Sequence, residues 1–334
     1  MTIVSARSGY DPAYYSRDRG AERSAGGYYI SPAQQGEAAG RWFGRGAEAL
    51  GFRDGQEVAE DPYLKVYAQV DPRTGEKLGR APGGYAKFAE ILGRKLAAEP
   101  HATAERVLEL EREAAKETRR SPALTDTTAS HNKSVSVVKG SFLENARRAR
   151  LAGDAAGEAL WRGRAKRLSE IEQEANHAAL EWAQEHAGFV RTYAGASTKV
   201  DGEEVGGRWE RAAPVVTTWL QGTSRDGDPH DHSHNVWARM ARTDSDGKWR
   251  ALDTMALRAQ LGAMAAIVES RVRSAVTREF GVSWVRRADG QGYEIAGVTQ
   301  EEIDALNRPG ESGDSIWWLG DLVEAGVLTV VGVL

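Results

Sequence analysis

Four β-rich runs most narrow the choice of fold: FVRTYAG (189–195), TKVDGEEVGG (198–207), APVVTTWL (213–220) and HSHNVWARMAR (232–242). Gly and Asp turns divide them, a pattern that predicts an antiparallel meander. Ahead of them stands the longest helical signal, about Phe142 to Glu185 with a break at Gly153. Within it Leu160, Ala165, Leu168, Ile171, Ala175 and Leu180 recur at helical spacing. Further helices are expected from Tyr85 to about Glu99, from Thr103 as N-cap to Arg119, and from Met255 to about Phe280, closed by Gly281. The segment 121–140, rich in Ser, Thr and Val in alternation, reads as strands. GRWFGRGAEALGF (40–52) reads as a turn feeding a short helix, and 282–287 with 292–297 as a closing hairpin. The class is α+β.

Composition removes several chemistries. With 334 residues, 41% of them hydrophobic, the chain buries a real core. It has no cysteine, so thiol nucleophiles, disulfides and sulfur-ligated zinc are excluded, and any metal is held by nitrogen and oxygen. A formal charge of −4 restricts any nucleic-acid surface to a local patch. The amino terminus shows no secretory pattern and no stretch reaches the roughly 20 apolar residues of a bilayer span, so a cytoplasmic protein without membrane insertion is expected. At the carboxy terminus, Asp321 and Glu324 interrupt the apolar run 315–334.

Three of the seven histidines, His230, His232 and His234, fall within PHDHSHN (229–235). On a strand, positions i, i+2 and i+4 share a face, so the three imidazoles address one volume. A polar strand face is the plain reading; a divalent-metal site that polarises an oxyanion is the sharper one, and three rings favour it. Far away in sequence, Tyr14 and Tyr15 sit in a Gly-rich polar segment that makes poor core material, with Tyr28 and Tyr29 close behind. Such a pair either packs or serves as a nucleophile toward phosphorus, which a phenol of pKa near 10 does only with help from a cation and a proton acceptor. Asp126, in TDTT, is a candidate helper, although a turn or cap role is as natural there.

TSRDGDPHDHSHNVW (223–237) followed by DGKWRALD (246–253) resembles the motif of conjugative relaxases of the TrwC and TraI (MobF) type, in the HUH endonuclease class. TDTTASHNKSVSVV (125–138), GRWFGRGAEALG (40–51) and the two tyrosine pairs are similar to further family segments, in the same order, over about residues 10–305. The resemblance implies a central antiparallel sheet, the HUH palm, with helices on one face and a flexible carboxy-terminal lid. It places a relaxase (nickase) domain at 1–306 and a divergent tail or lid remnant at 307–334. It implies site- and strand-specific nicking at an origin of transfer by metal-assisted tyrosine transesterification. Tyr14 would be the nucleophile and Tyr15 its substitute, with Tyr28 or Tyr29 for a second transfer or for DNA contact. Asp126 matches the acid that orients a ligand histidine or helps deprotonate the tyrosine, and His232 and His234 the His-x-His metal pair.

The family's third histidine is replaced here by Gln221. An amide oxygen suits hard cations, so Gln221 is preferred as third ligand, with Mg²⁺ or Mn²⁺ as the metal; His230 is the alternative, in the metal shell or just outside it. Asp231 stands where the family has Leu, and His131 with Asn132 where it has a small residue and proline. The implied partners are single-stranded or hairpin origin-of-transfer DNA, type IV secretion coupling machinery and accessory DNA-binding proteins, with no small-molecule substrate. Arg225, Lys133, Arg191 and Trp42 are candidate DNA contacts, with a surface charge or a buried core ring as the equal alternative for each. Competing readings are a rolling-circle initiator of the same class, a DNA-binding remnant that has lost nicking, and a metal-dependent hydrolase acting on a small molecule.

Overall fold

The computed structural model describes residues 2–9, 39–79, 88–118, 122–192, 198–200, 203–205, 207–223, 229–290 and 292–305. In chain order its elements begin with β1 (Ile3–Gly9), β2 (Arg41–Phe43), α1 (Arg45–Ala49), α2 (Glu60–Tyr67), α3 (Phe88–Ala98) and α4 (Ala104–Glu117). Next come β3 (Leu124–Ser130), α5 (Lys133–Leu151), α6 (Ala155–Ala187), β4 (Phe189–Thr192), β5 (Thr198–Val200) and β6 (Glu203–Val205). The chain continues through β7 (Arg208–Thr223), β8 (Pro229–Thr243), β9 (Trp249–Ala251), α7 (Thr254–Ala259), α8 (Leu261–Phe280), β10 (Trp284–Arg286), β11 (Tyr293–Ile295) and α9 (Gln300–Ala305).

Of the four runs expected to form a meander, β4, β7 and β8 pair in succession, whereas the run 198–207 folds into a separate two-stranded sheet, β5–β6. The main sheet runs β1-β3-β8-β7-β2, with β4 paired to β7 and β9 to β8, and every pairing is antiparallel. β8 is its middle strand. The long helices pack on one face, where Ala129, Val216, Trp237 and Ala241 meet Val135 and Phe142 of α5, Leu168, Ile171 and Leu180 of α6, and Val268 and Val272 of α8. The other face carries a smaller core of Leu124, Val215, Trp219, Val236 and Ala238 under Trp42, Ala47, Tyr63 and Tyr67. α1 and α2 thus cover that face beyond the histidines and leave the histidine end of β8 to other groups.

Helix boundaries follow local chemistry. Thr103 caps α4 by accepting from the Arg106 N–H at 3.3 Å, and Asp154 caps α6 by accepting from the Gly157 N–H at 2.9 Å. The break between α5 and α6 falls at Gly153, whose φ of 74° is cheap only for glycine, and Gly281 at φ 69° ends α8. Four expectations are corrected. The run 121–140 is not all strand: β3 ends at Ser130 and α5 starts at Lys133. There the Ser–Val alternation buries hydroxyls that answer backbone groups, Ser134 Oγ accepting from the Ile295 N–H at 3.0 Å and Ser136 Oγ from the Asp231 N–H at 3.2 Å. Leu160 is exposed, because α6 begins beyond the edge of the sheet core, whereas Ala165, Leu168, Ile171, Ala175 and Leu180 are buried. Residues 255–280 form two helices, α7 and α8, that meet at Gln260, and Arg41–Phe43 adds an edge strand that was read as a turn.

Candidate metal centre on the central strand

Alternation along β8 sends His230, His232 and His234 to the face away from the long helices, and Asp231, Ser233 and Asn235 toward them. Antiparallel pairing then sets the neighbours: Gln221 of β7 lies directly opposite His232, Trp219 opposite His234, and on the other side Thr128 of β3 lies opposite His234 with Asp126 opposite Val236. Four candidates named from sequence, His232, His234, Gln221 and Asp126, are therefore brought together by three adjacent strands.

Hydrogen bonds fix both imidazoles. Nδ1 of His234 lies 2.7 Å from Asp126 Oδ2 and 3.3 Å from Thr128 Oγ1. A carboxylate only accepts, so the proton sits on Nδ1 and Nε2 carries the lone pair. His232 Nδ1 donates in the same way to the His230 carbonyl at 2.8 Å. Both rings thus present the tautomer of an Nε2 metal ligand, each steadied by an outer hydrogen bond. Their centres are 5.0 Å apart. Two imidazoles bound at about 2.1 Å to a common ion would place their ring centres roughly 5 Å apart.

Burial, and then the neighbouring His234, push the His232 pKa down to about 4, so its ring is neutral at neutral pH, the form a metal requires. His230 is lowered to about 4 by burial and then by the Lys133 charge. Lys133, the first residue of α5, therefore belongs to the site's surroundings. Gln221 is only 1% exposed, and among the described residues neither its Oε1 nor its Nε2 has a hydrogen-bond partner. A buried unpaired amide costs about 1–3 kcal/mol, so a fold that retains one beside two oriented imidazoles has a use for it. The donor set of two imidazole nitrogens and one amide oxygen fits a divalent cation. Among the described residues no three His, Asp or Glu side chains converge closely enough to hold an ion, and the His230 ring centre is 5.8 Å from that of His232.

Other candidates fall elsewhere. Trp42 is corrected from a DNA contact to a core residue: it is 1% exposed and stacks on Phe52 with ring centres 4.0 Å apart. Arg191 is exposed on β4 opposite Trp209, at the far end of β7 from Gln221. Tyr14, Tyr15, Tyr28, Tyr29 and Arg225, and the segment 307–334, lie outside the described residues. Sequence reasoning missed a second polar row beneath the site, in which Asp231 meets Lys139 at 2.6 Å and Asn235 meets Asn176. It also missed Tyr67, whose hydroxyl is shared between Thr217 Oγ1 and the Val236 carbonyl under the sheet's open face. The first of these was visible as HDHSHN, a strand polar on both sides.

An antiparallel sheet with a His-x-His pair on its middle strand, a carboxylate orienting one of those histidines and helices stacked behind defines an HUH-type palm. The family model for the TrwC relaxase matches residues 8–308, and the chain belongs to that family. Its fold is similar to solved structures of the conjugative relaxase TrwC. These include a copper-bound complex with oriT DNA (TM-score 0.61, 18% identity, covering 98% of this chain and 100% of that one) and a metal-bound complex with oriT DNA (0.56, 20%, 92% and 80%). A further similar structure holds a 27-mer comprising the recognition hairpin and the cleavage site (0.54, 20%, 91% and 79%). Among curated proteins no match is found.

Proposed function

We propose that the protein nicks one DNA strand at an origin of transfer and keeps the cut end as a 5′-phosphotyrosine, with the relaxase domain at 1–306. The observation that carries this reading is the pairing of Asp126 with His234 beside His232 and a Gln221 unsatisfied among the described residues, on a member of the relaxase family. The solved TrwC complexes with oriT DNA, one described as metal-bound and one as copper-bound, support the substrate and the metal requirement.

His232, His234 and Gln221 would hold a divalent ion, Mg²⁺ or Mn²⁺, which supplies positive charge against a phosphate oxygen. The rest falls to the chain itself. Asp126 is committed to His234 Nδ1, which favours orientation of that ring over proton removal from a tyrosine. The Tyr14 oxygen attacks phosphorus, the O3′–P bond breaks, the phenol loses a proton and the 3′ oxygen gains one. One phosphodiester replaces another, so the step runs backward as readily as forward. Tyr15 is the substitute nucleophile, and Tyr28 or Tyr29 serves a second transfer. Among the described tyrosines, Tyr63 and Tyr67 are fully buried, Tyr67 with its pKa pushed up by that burial, and Tyr293 lies under Arg273 at 3.5 Å. None of the three suits a nucleophile. Lys133 and Arg225 are assigned to phosphate contacts.

Partners on this reading are hairpin or single-stranded oriT DNA and, downstream, the coupling machinery of type IV secretion with its accessory DNA-binding proteins. No helix among the described residues is long and apolar enough to cross a membrane. The test is strand cleavage of a labelled oligonucleotide carrying the origin of transfer of the protein's own replicon. Cleavage with Mn²⁺ or Mg²⁺ that EDTA stops is the expected result. Tight binding with no cleavage in any metal would instead favour a DNA-binding remnant.

A further inference from the structure

The stretch of β8 that carries the imidazoles has no hydrophobic instruction about which way to face. From His230 to Asn235 every side chain is polar, and the first apolar residue after Pro229 is Val236. Strand register is fixed by an apolar face wherever one exists, and a one-residue slip turns every side chain over. The ladder also weakens here. Pairing with β3 ends at Ser130 opposite His232, and pairing with β7 shifts register between Gln221 and Thr223.

The helix side supplies the missing instruction. Lys139 Nζ of α5 donates to Asp231 Oδ1 at 2.6 Å, and the Asp231 backbone is held at both ends, its N–H by Ser136 Oγ and its carbonyl by the His131 N–H, each at 3.2 Å. Two strides along, Asn235 and Asn176 of α6 exchange two amide hydrogen bonds at 2.8 and 2.9 Å. Asp231, Ser233 and Asn235 are all nearly or fully buried. Beneath them the Glu172 carboxyl is fully buried and pushed well above the usual carboxylate range by burial and then by the nearby Asp231. A slip of one residue would turn an imidazole toward Lys139, take away the carboxylate it bonds at 2.6 Å and break the amide exchange at Asn176. Buried polar pairs that fix a register are the best-attested use of such groups.

Resting on the metal-centre reading above, we propose that the buried pairs Asp231–Lys139 and Asn235–Asn176 lock the register of β8 and so decide that His232 and His234, rather than their neighbours, face the metal site. Lys139 and Asn176 are positioning residues: they touch neither DNA nor ion. They act at a distance, through the far side of the strand.

The experiment is Mn²⁺ titration of the full chain followed by electron paramagnetic resonance, with nitrogen couplings reporting imidazole ligation. The variants are Lys139→Met, Asn176→Leu, Lys139→Arg and His232→Ala. Glu144→Gln is the control, since Glu144, buried on the same helix, pairs with the more exposed Arg147 and Arg148 rather than with a residue of β8. Lys139→Met and Asn176→Leu are expected to weaken Mn²⁺ binding by about tenfold or more, as removal of outer partners of metal ligands does. Both should also weaken the nitrogen couplings. Lys139→Arg, which keeps the charge, should recover most of the affinity, and Glu144→Gln should change thermal stability alone. Should Lys139→Met fail to fold, Asn176→Leu carries the test. Wild-type protein that binds no Mn²⁺, or binds it equally after His232→Ala, overturns the metal centre and the lock with it. Loss of binding in His232→Ala but full affinity in Lys139→Met or Asn176→Leu overturns the lock alone, as does an equal loss in Glu144→Gln.

Discussion

Gln221 gives the sharpest contrast between stability and function at the scale of a residue. Its amide is buried with no hydrogen-bond partner among the described residues, so Gln221→Leu, of similar size, removes a desolvation cost of about 1–3 kcal/mol from the metal-free protein. Melting in EDTA should therefore rise, while Mn²⁺ affinity falls. If the melting temperature drops instead, Gln221 has a structural partner and is no ligand. Asp126→Asn keeps the shape of the side chain but weakens its hold on His234 Nδ1, and an amide turned the wrong way forces the other tautomer. Cleavage and metal affinity should fall about 10- to 100-fold with little change in DNA binding. An unaltered cleavage rate would remove Asp126 from the site.

Among elements, the strands, the long helices and the shared face of the histidines were legible, whereas the polar row between β8 and the helices was not. HSHNVWARMAR reads as a strand, on which the i, i+2, i+4 spacing gives the histidines a shared face; that Gln221 lies opposite His232 is shown by the pairing of β7 with β8. SVSVV misled because its serines look like a strand's polar face, whereas in α5 they accept backbone N–H groups from β8 and from Ile295. Trp42 misled because an aromatic between arginine and phenylalanine looks like a DNA platform; only the packing against β7 shows it to be floor. Close approach also explains Gly46. A Cβ there would stand 2.5 Å from the Ala213 and Pro214 carbonyl oxygens, so Gly46→Ala has to push α1 off β7. A loss of about 1–3 kcal/mol in urea unfolding is expected, and a neutral result would mean that α1 rides loosely on the sheet.

For the whole molecule, acid is the telling stress. His131, His230 and His232 are each lowered to about 4, first of all by burial, against about 6.5 in an unfolded chain. Between those values the unfolded chain takes up protons that the fold refuses. Stability is thus fully present above about pH 6.5 and declines as the pH falls toward 4. Urea midpoints in EDTA at pH 7.5, 5.5 and 4.5 should fall in that order, and a flat series would show the three rings to be protonated in the fold.

The central claim is covalent chemistry by a tyrosine that sequence alone singled out, and it is tested most directly by mapping the adduct. The protein is incubated with labelled origin-of-transfer DNA and Mn²⁺, denatured and digested, and the DNA-linked peptide is sequenced by mass spectrometry, with Tyr14→Phe alongside. The expected result is a detergent-stable adduct on the peptide containing Tyr14, absent in EDTA and lost or moved to Tyr15 in Tyr14→Phe. An adduct on any residue outside the two tyrosine pairs, or cleavage that leaves no adduct, would contradict it.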